Sequence, residues 1–205
     1  ILKRWSKRIG IVLLLLVVGW VMISSLRPDP RVAIQPFGEI SSEHIDTIVR
    51  SLERYHQVEV EVLTSVELPG QAYYKPRNRY RADSLIAWLR RNCPEGYSKV
   101  LGITTSDIST TKGEHADWGI FGLGYCPGKS CVVSGYRLKN EGNEKLKERL
   151  AKVAVHELGH TFGLPHCKAD DRCVMNDACG TIKEVDENEL MMCARCKGIK
   201  AVMGF

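Results

Sequence analysis

The residues best equipped for chemistry in this 205-residue chain lie in one short run, H-E-L-G-H-T-F-G-L-P-H-C, from His156 to Cys167. His156 and His160 are four apart, and at 3.6 residues per turn that spacing sets both imidazoles on one face of a helix. Gly163 follows where a helix can end in a left-handed residue, a conformation that costs glycine nothing sterically. The chain can then turn back through Leu164 and Pro165 and bring His166 round as a third nitrogen ligand. Three histidines on zinc leave a fourth tetrahedral position for water, as a catalytic site requires. Glu157 adjoins the first histidine and is the natural base for zinc-bound water attacking a carbonyl. A bare H-E-x-x-H also fits two surface histidines on any helix. The longer H-E-x-x-H-x-x-G-x-x-H is far more demanding and points to zinc.

Cys167, Cys173, Cys193 and Cys196 form a second set, four thiols in two groups. The spacing suits a closed four-sulfur structural zinc that staples the C-terminal segment to the end of the catalytic helix. A pair of disulfides is the alternative, because C-x-x-C pairs can also be redox-active. Cys93, Cys126, Cys131 and Cys179 remain. Cys126 and Cys131 can bridge the turn 127–130 if the domain lies outside the cytoplasm, where a four-thiolate zinc is in turn less expected.

Together these residues resemble the metzincin metallopeptidases, and among them the archaemetzincins. That family's pattern continues past the third histidine with a cysteine, a C-x-M and a C-x-x-C. Here Cys167 follows His166, Cys173-Val174-Met175 supplies the C-x-M, and the seventeen residues 176–192 precede Cys193-Ala194-Arg195-Cys196. Five residues separate Cys167 from Cys173 where the pattern has four, an insertion in the polar stretch 168–172 that a loop absorbs. The likeness covers most of residues 32–205 and includes Leu101-Gly102-Ile103-Thr104 and Arg137-Leu138. It implies a single compact metzincin-like α/β domain with a mixed twisted sheet, an active-site helix and a Met-turn. Met175 would be the apolar floor beneath the catalytic zinc; read alone, it is an ordinary core methionine. The resemblance further implies an antiparallel edge strand near 120–125, with Ile120, Phe121, Gly122 and Leu123 lying along the substrate backbone. Such an edge offers unpaired N–H and C=O groups to which an extended peptide can add. Without the resemblance, the glycines of 118–125 equally mark bulges in a simple hairpin. Their spacing and context do not fit a dinucleotide fingerprint.

The elements that must position these groups are also legible. From Asn143, a candidate N-cap, the run to Leu158 has neither proline nor glycine, and Leu146, Leu150, Val153 and Ala154 recur at helical spacing as a packed face. Upstream, residues 32–36 read as a buried strand, 41–55 as a helix opened by a serine cap, and 58–62 as a strand with one wet face. Residues 82–92 read as a second helix carrying Leu85, Ile86 and Leu89, and 99–104 as another strand. Strand and helix alternate, as in an α/β unit with a largely parallel sheet.

The N-terminal thirty residues are a separate matter. Lys3, Arg4, Lys7 and Arg8 precede residues 9–26, eighteen positions without a charge. That length is near the lower limit of a membrane span and exceeds the usual apolar region of a signal peptide. It predicts that residues 1–31 form a basic cytoplasmic segment, an uncleaved transmembrane anchor at 9–26 and a short proline-stiffened linker, with the N-terminus cytoplasmic and the domain 32–205 extracytoplasmic. Secretion after signal cleavage near Ile23-Ser24-Ser25 is the alternative. Residues 1–31 hold six basic residues and one acid, so they carry the whole +5 charge of the chain and 32–205 is neutral. The basic balance is therefore a targeting feature and not a nucleic-acid footprint. The cluster Lys75, Arg77, Arg79, Arg81, Arg90 and Arg91 reads as a solvated face, with Tyr73, Tyr74 and Tyr80 leaving a binding role open.

The expectation is a monomeric, membrane-anchored zinc peptidase with two zinc ions, one catalytic and one structural, acting on a peptide or protein. A catalytically idle zinc-stabilised binding module tethered to the membrane is the alternative, against which Glu157 counts, since holding zinc requires no carboxylate there.

Overall fold

The computed structural model describes residues 29–177 and 180–203. Two kinds of strand decide the architecture. Four strands of the main sheet pair in parallel, three of them buried; a short glycine-rich one closes the sheet edge. In chain order the elements are β1 (Arg31–Phe37), α1 (Ser42–His56), β2 (Glu59–Val62), β3 (Tyr73–Tyr74), β4 (Arg79–Arg81), α2 (Ala82–Asn92) and β5 (Lys99–Thr104). There follow β6 (Ile108–Lys112), β7 (His115–Ile120), β8 (Gly122–Gly124), β9 (Ser130–Ser134), α3 (Asn143–Thr161), α4 (Ile182–Glu187) and α5 (Ala194–Met203). The main sheet has the order β2-β1-β5-β9-β8. Its first four strands are parallel and β8 runs antiparallel along β9, with Gly122 opposite Val133 and Gly124 opposite Cys131.

Alternate residues of the central strands feed two cores. Val32, Ile34, Leu101, Ile103 and Val133 pack under α1 and α3, whereas Ala33, Val100 and Val132 face α2. Helix α3 lies in the first core. Leu150, Ala154 and Leu158, spaced by four, are buried, and so is nearly every residue from Arg149 to Thr161. A helix buried all round is fixed in position by its neighbours, as a platform for catalysis must be. The expected packed face is present, although Gly142 with φ +88° and not Asn143 occupies the N-cap. Asn143 turns instead to α1, accepting from His44 and donating to Glu43. Ser41 caps α1 at the expected position without using its hydroxyl.

A second sheet, β3-β4-β6-β7, was not legible beforehand. It draws Arg79 and Arg81 of the basic cluster into an ion-pair network, whereas Lys75, Arg77, Arg90 and Arg91 stay exposed as a solvated face. Arg79 lies 3.2 Å from Asp107 and 3.3 Å from Asp117, and Arg137 grips Asp107 with two bonds of 2.6 and 2.8 Å. The stretch 118–125 is likewise no single hairpin, because β7 ends in the second sheet and β8 begins in the first.

The expected transmembrane helix requires correction. Among the described residues no helix is long and apolar enough to cross a membrane. Residues 9–26, on which that expectation falls, lie outside the described residues. It rested on length and hydropathy at the bare minimum for a span. The extracytoplasmic placement and the secreted alternative used the same segment alone and are withdrawn with it.

Candidate metal centre and cleft

Helix α3 ends as its sequence dictates. Gly163, at φ +94°, donates to His160 O at 2.8 Å, and Leu164 N–H reaches back to Gly159 O at 3.0 Å. This paired closure turns the chain sharply and returns His166 to the helix. The ligand atoms of His156, His160 and His166 all lie within 4.8 Å of one another. His156 Nδ1 donates to Val174 O at 2.8 Å and His160 Nδ1 to Leu164 O at 2.7 Å. Those bonds fix each ring's orientation and leave both Nε2 atoms as unprotonated acceptors. The two Nε2 atoms face each other at 2.9 Å, lone pair to lone pair, an arrangement that a shared cation relieves. Burial, and secondarily the neighbouring imidazole, holds His156 down at about 3; burial also lowers His160. The donor set therefore fits zinc.

Glu157 is buried on the same helix, and burial pushes its carboxyl up to about 8 against the Gly124 N–H, which favours the ionised form. Strand β8 fits this carboxylate closely. A Cβ on Gly122 would lie 2.6 Å from Glu157 Cγ, and one on Gly124 would lie 2.5 Å from Glu157 O. The two glycines alternate on one strand face, so their absent side chains admit α3 against the sheet edge. Clearance, not bulging, explains the glycine-rich stretch. Phe121 O accepts from Ser134 N–H, Phe121 is buried, and Leu123 is half-buried in the edge strand; Ile120 closes β7 beside it.

Met175 is fully buried beneath the helix, where a Cβ on Gly159 would come within 2.6 Å of its sulfur. Its neighbour Val174 orients His156, and Met175 O accepts from Cys167 N–H at 2.7 Å. One turn thus serves both clusters.

All four of Cys167, Cys173, Cys193 and Cys196 are buried with sulfurs within 4.8 Å of one another. Cys167 to Cys193 is 3.6 Å and Cys173 to Cys196 is 3.8 Å. A disulfide bond is about 2.05 Å, whereas a tetrahedral site with Zn–S near 2.3 Å has sulfurs ~3.8 Å apart. Ala169 N–H points at Cys167 Sγ and Cys193 N–H at Cys173 Sγ, bonds that favour thiolates. Burial holds the Cys173 and Cys196 thiols up, whereas the Cys196 N–H and the adjacent sulfurs outweigh burial at Cys193 and hold its thiol down at about 7. These features favour a metal over disulfides, and the five-residue spacing to Cys173 is absorbed by the loop. Cys126 and Cys131 are both free, the first exposed and the second buried, so the bridge across 127–130 is not formed; Cys93 is free too. Cys179 lies outside the described residues.

Between β8 and the metal cluster runs a cleft of about 310 Å³, lined by Gly122, Leu123, the three histidines and Glu157. Its far wall is braced by groups that periodicity did not single out, of which Lys152 lines the cleft and Arg149 does not. Arg149 is fully buried and grips Asp186 with bonds of 2.8 and 2.6 Å, while Lys152 donates to Val185 O and Asp186 O. An arginine and a lysine on the inner face of a helix are a sequence signal in hindsight, because such residues are buried only when paired.

Comparison with known proteins agrees with this geometry. The sequence profile of peptidase family M54 matches residues 32–200. An archaemetzincin of Halobacterium salinarum is 34% identical over 176 residues, spanning 82% of this chain and 97% of the relative. One from Methanopyrus kandleri is 41% identical over 130 residues, 63% of this chain and 70% of its own length. The crystal structure of the Methanopyrus kandleri archaemetzincin superposes with a TM-score of 0.74 at 34% identity, covering 85% of this chain and 95% of that one. That of Archaeoglobus fulgidus gives 0.69 at 30%, covering 82% and 98%. The chain belongs to the archaemetzincins of peptidase family M54, and it is a zinc metallopeptidase.

Proposed function

We propose that His156, His160 and His166 hold the catalytic zinc and that Cys167, Cys173, Cys193 and Cys196 hold a second, structural one, within a domain spanning 32–205. The observation that carries the reading is the pair of Nδ1-anchored imidazoles whose Nε2 atoms converge at 2.9 Å beside a buried Glu157. Zinc bound there supplies Lewis acidity that polarises the scissile carbonyl. Glu157 takes a proton from the attacking water and delivers it to the leaving amine. The substrate backbone lies along the free edge of β8, adding as a strand past Gly122 and Leu123, and Met175 supports the helix from below. Every group required comes from one chain, so a monomer suffices. The test is elemental analysis and peptide hydrolysis for the wild type, His160→Ala and Glu157→Gln. The expected result is two zincs falling to one in His160→Ala, and two zincs with turnover reduced about 10³-fold or more in Glu157→Gln. Retained turnover in Glu157→Gln would reject the role given to that residue.

A further inference from the structure

Away from the histidines the cleft holds polar groups that take no part in activating water. Asn188 follows α4, is 7% exposed and lines the cavity. Its backbone N–H is bonded to Glu184 O at 3.2 Å, but its side-chain amide has no hydrogen-bond partner among the described residues. The amide opens onto the cleft, so a group entering there meets a donor that no protein acceptor occupies. The wall that carries it is braced by the Arg149–Asp186 pair and by Lys152 on Val185 O and Asp186 O.

Charge on the same lining narrows what that group is. Lys112 Nζ stands 5.4 Å from the centre of the Trp118 ring and has no acidic partner among the described residues. Trp118 itself reaches the opposite wall, where a Cβ on Gly180 would meet its Nε1 at 3.4 Å. Lys152, the other cation of the lining, is already committed to two carbonyls and to Glu148 at 2.6 Å. The acids of the lining are Glu157, reserved for water, and Asp177, which lies 3.7 Å from His166 Nδ1. One uncommitted cation and one uncommitted amide donor therefore face the same space.

We propose that this pocket selects a carboxylate within a residue or two of the scissile bond. The Asn188 amide donates to it, Lys112 supplies the opposing charge, and Val153 and Val185 pack its aliphatic stem. The proposal rests on the peptidase reading of the cleft. A glutamate side chain and a C-terminal carboxylate offer the same chemistry, and the test separates them.

Binding of blocked dipeptides is measured by NMR in the zinc-loaded Glu157→Gln protein, following the Asn188 amide and Trp118 indole resonances. The probes are acetyl-Ala-Glu-amide, acetyl-Ala-Gln-amide, acetyl-Ala-Leu-amide and acetyl-Ala-Leu with a free carboxylate. The expected result is that at least one carboxylate probe shifts both resonances and binds about tenfold more tightly than the Leu amide. That advantage should vanish in Asn188→Leu and fall in Lys112→Met, with circular dichroism unchanged in both. An advantage held by the glutamate side chain assigns side-chain specificity; one held by the free terminus alone assigns trimming of C-terminal ends. Equal binding of all four probes, or an advantage that survives both substitutions, overturns the proposal. Hydrolysis of a random peptide mixture by the wild type is scored separately, so failure of the peptidase reading is distinguishable from failure of the carboxylate pocket.

Discussion

The two metal-ligating clusters are built from adjacent residues and yet differ in kind. His166 and Cys167 are neighbours, as are Cys173, Val174 and Met175, so the clusters share a turn and a strand of backbone. The cysteine cluster is buried at all four positions, whereas the histidine cluster passes from buried His160 to exposed His166. Four inward sulfurs would complete a tetrahedron around a bound zinc and leave no position for a substrate. Three imidazoles arranged along a burial gradient would leave a zinc's fourth position open toward the cleft. Saturation of the ligand shell, more than ligand chemistry, separates a staple from a working site.

That contrast is broken most severely at the closed cluster. On the proposed two-zinc reading, Cys196→Ser removes a ligand from a structural site whose metal would contribute on the order of 10 kcal/mol to folding, and it releases α5. Because Val174 and Met175 lie in the shared turn, both metals and the thermal transition should be lost, whereas His166→Ala should lose one metal and keep a cooperative transition. Calorimetry with elemental analysis decides. Loss of only the cysteine metal from Cys196→Ser, with the histidine metal kept, would show the clusters to be independent.

The open side is sharpened by a smaller change. Gly122→Ala puts a methyl against Glu157 Cγ, a steric conflict of about 1–3 kcal/mol, and should lower kcat about tenfold or more while zinc content holds. A Cβ on Gly135 would meet nothing closer than 3.8 Å, so Gly135→Ala should leave kcat within about twofold. Equal effects of the two substitutions on steady-state kinetics would refute the clearance argument.

A further effect concerns packing behind α3. His56 is fully buried, bonded to Val155 O at 2.8 Å, and joined through its carbonyl to Lys200 of α5. Burial lowers its pKa from 6.5 to about 4. The folded form thus resists protonation, and as pH falls the unfolded chain binds the proton first. The stability at issue is complete above pH 6.5 and is lost between 6.5 and about 4, amounting to about 3 kcal/mol. Urea unfolding at pH 7.5 and 4.5 should show this loss in the wild type and a smaller one in His56→Phe. Identical pH dependence in the two proteins would remove His56 as the cause.

Much of helix α3 and the grouping of both candidate ligand sets were readable because their information is local. A four-residue spacing fixes a helix face, Gly163 fixes a turn, and each acts over a few residues whatever the rest of the chain does. The ends of α2 and β5 were legible for the same reason, as periodicity against clear breakers. Gly122 and Gly124 were visible as glycines, but their purpose depends on a helix more than thirty residues away in sequence. Arg79 and Arg81 looked solvated because Asp107 and Asp117 reach them only across the second sheet. The N-terminal segment misled where hydropathy and length stood without a tertiary partner to test them.

By itself, then, the sequence determined the donor atoms, their order and the local geometry that presents them, since short-range sterics and helical period suffice for that. Only the tertiary structure decided which cluster closes and which stays open, why β8 must lack side chains, and that Asn188 and Lys112 face the cleft. Burial, clearance and unpaired hydrogen-bonding groups are properties of surfaces brought together from distant parts of the chain, and no spacing within one segment encodes them.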